Sequence, residues 1–281
     1  MNKRIKNNRI SPMALTDRDK AIIVSVYENR FLRRDQIQRL FFRNTSLPAC
    51  NMRLKKLYEH HFLDRLFKPV AVGSSQAVYA LNKRGADLVA QILEIDRYQV
   101  NWKRDHNRVE FLFMEHTLAV SEFKVNLDLA LALSASANLF FYRRGDKPLV
   151  TRVSDPSNKK KYLVVAPDAF FSLSIIGNGK SYFFAEVDMG TETLTRFAEK
   201  ITAYKQFWKS GKYTDIYSYK HFRVLTIAES GRRLMNLIET TRKAGGKNMF
   251  LFTTFSQIEK HSILGQIWQS PIPGKPISLL E

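Results

Sequence analysis

The chain has 281 residues, 44% of them hydrophobic and 12% aromatic, enough to bury one large core or two modest ones. Its formal net charge of +19 points to a polyanionic partner, most often nucleic acid, with a membrane surface as the weaker alternative. The single cysteine, Cys50, excludes an intrachain disulfide and a CxxC metal site, no apolar run approaches the roughly 18 residues of a spanning helix, and the start, MNKRIKNNRISPM, has no apolar secretory core, so a soluble cytoplasmic protein is expected.

The charge is uneven. Residues 1–70 hold 16 Lys or Arg against 6 Asp or Glu, so more than half of the excess lies in a quarter of the chain. The electrostatic footprint is expected there. After a basic tail, Thr16 with Asp19 three positions on makes an acidic capping box, and Ile22, Ile23, Val26 and Tyr27 recur at helical spacing. A second short helix follows Leu32, with Ile37, Leu40 and Phe41 as its apolar face. The run NTSLPAC supplies cap residues and a first-turn proline for a third helix to about His60.

On that third helix Cys50, Leu54 and Leu57 share one face, Met52, Lys55 and Lys56 point away from it, and Arg53 lies on the flank. FLDRLF and QAVYAL then flank a turn-rich stretch containing Gly73 and Ser74 and read as a two-stranded wing. Helix, helix, helix, hairpin is the order of a winged helix-turn-helix. In that reading Arg53, Lys55 and Lys56 contact phosphates or base edges of double-stranded DNA, with Arg65 or Lys68 on the wing. Solvated charges on a small helical domain are the alternative. A helix from Arg84 to Leu93 closes a domain over residues 1–97, and the polar stretch Tyr98 to Asn107 is the expected linker to a second domain, 98–281.

The second part opens with a helical pattern from Arg108 to about Ala137, carrying Glu115, His116 and Glu122, and a strand at LFFY. A charged loop from Arg143 to Lys161 follows, whose Lys159-Lys160-Lys161 run is either solvated or laid along a phosphate backbone. Two apolar runs, YLVVAPDAFFSLSI and SYFFAEVDM, carry carboxylates where a buried strand should have none. Glu186 and Asp188, two apart, share a strand face, and Asp168 on a neighbouring strand can join them. Three acids on one face repel unless a cation or protons neutralise them, or unless each pairs with Arg or Lys at an ordinary strand end.

Next, Leu194, Phe197, Ile201, Tyr204 and Trp208 recur at helical spacing, with Lys200 at the edge of the stripe, either surface charge or reaching the acids. Strands at FRVLTI and from Asn248 to Thr254, alternating with helices Arg232 to Lys243 and Ser256 to Leu264, give a mixed sheet flanked by helices, and Pro271 to Pro276 reads as an extended arm.

Pro167-Asp168, a spacer, then Glu186-Val187-Asp188 resembles the PD-(D/E)XK nuclease core, with Asp188 at the usual Lys position. The resemblance implies Asp168 and Glu186 as ligands of Mg²⁺ or Mn²⁺, with Lys200 supplying the missing Lys and Glu115 or Glu122 a further acid. Through EHTLAVSEF, APDAFF, EVDMGTETLTRFAEKITAY and FRVLTIAES, residues 15–255 are more specifically similar to the replication-relaxation family of bacterial plasmids and mobile elements.

The expected fold is therefore α+β: an N-terminal winged helix-turn-helix followed by an α/β PD-(D/E)XK nuclease-like domain with a mixed central sheet. The family resemblance implies a DNA-binding protein acting in DNA relaxation or processing during replication or conjugation, beside a relaxase or replication protein. A Mg²⁺-dependent endonuclease using Asp168, Glu186, Asp188, Lys200 and Glu115, and a winged-helix transcriptional regulator, are the alternatives. A homodimer is compatible with each.

Overall fold

The computed structural model describes residues 13–68, 75–145 and 149–281. The basic start MNKRIKNNRISP, Gly73 and Ser74 of the expected wing turn, residues 146–148 and the side chain of Lys159 lie outside the described residues. The chain divides into two units, one ending at Glu122 and one beginning at Phe123.

In the first unit, Thr16 caps α1 (Asp17–Asn29) as expected. The Thr16 hydroxyl accepts from the Asp19 N–H at 3.3 Å, and the Asp19 carboxylate accepts from the Thr16 N–H at 2.6 Å. Ile22, Ile23 and Val26 are fully buried. A short β1 (Phe31–Arg33) precedes α2 (Arg34–Phe41), and α3 (Leu47–Glu59) begins with Pro48 in its first turn. β2 (Leu63–Leu66) and β3 (Val78–Leu81) form the expected hairpin. β1 adds to its far side, giving an antiparallel sheet of order β1-β3-β2. α4 (Lys83–Ile92) crosses close beneath, at Gly85, where a Cβ would stand 2.1 Å from the Phe62 carbonyl oxygen.

The expected linker proves to be part of this unit. Trp102 Nε1 and Asn107 Nδ2 both donate to the Leu81 carbonyl, at 2.7 and 2.9 Å, and Asn107 also reaches Asp64 at 2.7 Å. These donors satisfy groups at the end of β3, so the segment packs instead of spanning a gap. The division therefore falls inside α5 (Phe111–Leu131), not at residues 97 and 98. Met114 and Leu118 join the core of Phe31, Val78 and Ala80.

In the second unit, β4 (Ala137–Arg144), β7 (Ala169–Ile175), β8 (Gly179–Asp188), β9 (Arg223–Ala228) and β10 (Phe250–Thr254) form a mixed sheet of order β10-β9-β8-β7-β4. It is parallel from β8 to β10 and antiparallel from β8 to β4. The expected loop from Arg143 to Lys161 is instead largely structured: β5 (Thr151–Asp155) and β6 (Asn158–Val165) pair as a separate hairpin. Pro167, which has no N–H to give a ladder, splits the run YLVVAPDAFFSLSI into β6 and β7.

α6 (Leu194–Lys209), α7 (Lys212–Tyr217) and α8 (Gly231–Lys243) supply Phe197, Ile201, Tyr204, Tyr213 and Leu237 to a core with the sheet residues Phe170, Phe184 and Val224. Leu194 and Trp208, at the two ends of the α6 stripe, are exposed. On the other face Phe171 stacks on Phe183 at 5.1 Å and meets Phe123 at 5.7 Å. α9 (Phe255–His261) follows β10. The proline-rich end is no arm: Trp268 and Leu279 are fully buried, and bridges Phe252 to Gln269 and Trp268 to Ile277 fold the segment back. No helix among the described residues is long and apolar enough to cross a membrane.

Candidate functional site

Two sets of expected site residues lie in different units. The first is the basic side of α3. Its back, Cys50, Leu54 and Leu57, is fully buried, and burial pushes the Cys50 thiol up to about 11. Its front exposes Met52, Lys55 and Lys56, and among the described residues Lys55 has one loose ion pair, with Glu59 at 3.7 Å.

Arg53 departs from the expected role. Its Nε donates to Asp19 Oδ1 at 2.6 Å, its Nη2 bonds Asp19 Oδ2, and it reaches the Ala14 carbonyl at 2.9 Å. Burial alone would raise the Asp19 pKa, but the hydrogen bonds from Arg53 and Thr16 outweigh it and hold the carboxyl below the usual range. Arg53 thus ties α3 to the cap of α1, and its guanidinium fork is already filled.

Near the hairpin, Arg65 lies over the Tyr58 ring at 4.7 Å and the Phe67 ring at 5.3 Å, and Lys68 lies 4.0 Å above Phe111. These contacts orient both cations, and among the described residues no carboxylate pairs with either.

The second set is the acid cluster. Asp168 precedes β7, its N–H donating to Ala185 O at 3.0 Å and its Oδ2 accepting from the Val187 N–H at 2.8 Å. The end of β4 holds the same turn: Gly145 N–H donates to Asp168 O at 2.6 Å, and a Cβ at Gly145 would stand 2.0 Å from Pro167 O. Alternation along β8 places Glu186 and Asp188 on the face covered by α6 and α8, as expected.

Glu186, with 5% of its side chain exposed, accepts from Tyr204 OH at 2.5 Å and from Lys200 Nζ at 2.9 Å. Lys200 therefore does reach the acids, and it also pairs with Glu192 at 3.2 Å. Burial is the main cause that raises the Glu186 pKa, and the negative charge of Asp168 adds to it, while Lys200 and Tyr204 pull it partly back. For Lys200, burial would lower the pKa, but Glu186 and Glu192 beside it hold it above the ordinary lysine range.

Asp188 accepts from Arg233 Nε and Nη2, both at 2.8 Å, and from the Gly190 N–H at 2.9 Å. Arg233 in α8 also donates to the Glu192 carbonyl at 2.6 Å. Tyr204 and Arg233 are the partners sequence reasoning missed. Tyr204 reads only as an apolar stripe position, and Arg233 lies 45 positions from Asp188 with no pattern linking them.

Glu115 and Glu122 belong to the first unit. Glu122 there accepts from Arg39 at 2.6 Å and from Gln36 at 2.9 Å, which links α5 to α2.

The donor set tests whether an ion fits. Mg²⁺ takes carboxylate and water oxygens in near-octahedral order. Each oxygen of Glu186 and of Asp188 already accepts from a protein donor, and an ion bridging Asp168 and Glu186 would displace Lys200 or Tyr204. Among the described residues no group of three or more His, Cys, Asp or Glu is arranged to hold a metal ion. As arranged, these residues fit protein cations and not a divalent ion.

No curated protein and no solved structure matches the chain. The family model described as replication-relaxation matches residues 23–220, which take in the second half of α1, α2, α3, the hairpin, Asp168, Glu186, Asp188 and α6. By that match, over well more than half its length, the chain belongs to the replication-relaxation family.

Proposed function

We propose that the chain is a duplex-DNA-binding protein of a plasmid or mobile element, acting in the relaxation or processing of DNA around replication or conjugation. The observation that carries this reading is the two-sidedness of α3, with Lys55 and Lys56 exposed opposite a fully buried apolar back. The order of three helices and a hairpin supports reading this unit as a winged helix-turn-helix, in which the recognition helix lies in the major groove. Arg65 and Lys68 beside the hairpin then meet phosphates. Family membership supports the setting, and a relaxase or replication protein is the partner class it implies.

The test is a fluorescence-anisotropy titration with a labelled duplex. Lys55→Ala with Lys56→Ala should weaken binding about equally for unrelated sequences if the contacts are to phosphate, or selectively if they are to bases. Lys243→Ala, an exposed lysine of the second unit, serves as the control. Unchanged affinity in the double variant would overturn the reading.

The approach of Lys200 to Glu186 favours a second reading, in which the second unit is a PD-(D/E)XK nuclease with Asp168 and Glu186 as ligands of Mg²⁺ or Mn²⁺. The filled carboxylates weigh against it, and no step is derived through an ion. Supercoiled plasmid incubated with either ion should stay intact. Nicking that vanishes in both Asp168→Ala and Glu186→Ala would establish the nuclease instead.

A further inference from the structure

The β5–β6 hairpin stands apart from the five-stranded sheet and carries none of the acid cluster. One of its faces is built for the core: Val153, Leu163 and Val165 join the cluster that holds Phe197 and Ile201 of α6. Alternation turns Arg152, Tyr162 and Val164 the other way, and all three are exposed, Tyr162 by 65% and Val164 by 47%. Arg152 lies opposite Val164 in the ladder and Ser154 opposite Tyr162, so the four form one continuous patch. An antiparallel ribbon with one face on a core ordinarily keeps the other face polar. A tyrosine and a valine on that outer face, beside an arginine, make a surface suited to a partner.

The ladder is broken at one place, and the break gathers charge. Ser154 pairs with Tyr162, but the next residue, Asp155, pairs with Asn158, which leaves residues 159–161 opposite no residue of β5. Such a bulge bends the strand and re-aims side chains, and Lys160 and Lys161 stand exposed on it. Lys212 of α7 brings a further cation, its Nζ donating to the Arg152 carbonyl at 2.8 Å. Within residues 151–165 one carboxylate, Asp155, stands against four Lys or Arg. Its Oδ1 is taken by the Ser157 N–H at 2.8 Å and the Ser157 hydroxyl at 2.6 Å. Among the described residues no carboxylate makes an ion pair with Arg152, Lys160, Lys161 or Lys212.

We propose that the β5–β6 hairpin is a second duplex-DNA contact, its outer face laid into the major groove with Arg152, Lys160 and Lys161 on the flanking phosphates. The major groove, about 12 Å wide, admits a two-stranded ribbon whose strands lie about 4.8 Å apart. Charge complementarity selects a polyanion, and the hairpin tip argues against an anionic membrane. The end that would lead into a bilayer, Asp155-Pro156-Ser157-Asn158, is polar and carries the acid, which is costly to bury there. The inference rests on the proposed duplex partner but not on the α3 surface, and it gives the second unit a part in holding DNA that needs no strand cleavage.

Anisotropy titrations with one labelled duplex over a range of salt compare the full chain with a hairpin variant, Arg152→Gln with Lys160→Gln and Lys161→Gln. A charge-matched control, Lys243→Gln with Lys247→Gln and Lys260→Gln, neutralises three exposed lysines elsewhere in the second unit. With one phosphate per cation, the hairpin variant should make the slope of log K against log salt shallower by about 2.7, and the control should keep the parental slope. Added to Lys55→Ala with Lys56→Ala, the hairpin substitutions should lower the remaining slope by the same amount. Circular dichroism confirms that each variant is folded. If the α3 variant weakens binding while the folded hairpin variant keeps the parental slope, the inference is overturned and the α3 reading stands; the reverse pattern supports the inference and removes that reading. A hairpin variant that keeps its duplex affinity but loses binding to oligothymidylate, or to vesicles of phosphatidylcholine and phosphatidylserine, also overturns it.

Discussion

Replacing Arg233 by Met isolates what the acid cluster does in the fold. Asp188 has 4% of its side chain exposed and Arg233 16%, so both charges sit largely out of water. Arg233 supplies a donor to each Asp188 oxygen at 2.8 Å, and without it the Gly190 N–H is the remaining donor to that carboxylate among the described residues. Removing one partner of such a pair leaves a buried charge uncompensated, at a cost of about 3–5 kcal/mol. With a urea dependence of about 2 kcal/mol per molar, the unfolding midpoint of the second unit should fall by roughly 1.5–2.5 M. Trp102 is the one tryptophan in the first unit, so a Trp102→Phe background lets the fluorescence of Trp208 and Trp268 report the second unit alone. Adding Asp188→Asn to Arg233→Met removes the stranded charge and should recover most of the loss. A shift below about 0.5 M for Arg233→Met, the size of a surface pair, would refute the reasoning.

Asp19→Asn should destabilise the first unit at neutral pH, because the folded-state pKa of Asp19 lies below its ordinary value. The stability from Asp19 is present above that ordinary value and is lost as pH falls through the lowered one. Urea midpoints from neutral to acid pH should converge for the variant and its parent. Glu186 has the opposite sign: its raised pKa means the folded chain holds that proton more tightly, so its relative contribution is greatest at low pH and is withdrawn as pH rises through the raised value. Glu186→Gln should flatten that decline in the midpoint of the second unit. Gly145→Ala, whose Cβ would meet Pro167 O at 2.0 Å, should lower the same midpoint, and an unchanged value would show that the Pro167-Asp168 turn yields.

Features set by local period and capping were legible from the residues. The Thr16 and Asp19 box, the buried back of α3, the hairpin and the shared face of Glu186 and Asp188 all follow from spacing within one element. What escaped depends on contacts between elements. Arg53 sits on the flank of α3 as its angle dictates, yet nothing within that helix reveals that Asp19 takes its guanidinium. The hydroxyl of Tyr204 rides on a position whose ring alone satisfies the apolar stripe, and its bond to Glu186 needs the packing of α6 on β8. The β5–β6 hairpin looks like loop in the sequence because its lysines mask alternation, and because Pro167 cuts an apolar run that otherwise looks continuous.

The salt dependence of duplex affinity measures most directly whether α3 neutralises DNA phosphates as proposed. Each phosphate contact contributes about −0.9 to the slope of log K against log salt concentration, so Lys55→Ala with Lys56→Ala should make the slope shallower by about 1.8 while the second-unit control Lys243→Ala leaves it unchanged. A double variant with the parental slope would contradict the account, because the duplex would then be held by some other surface.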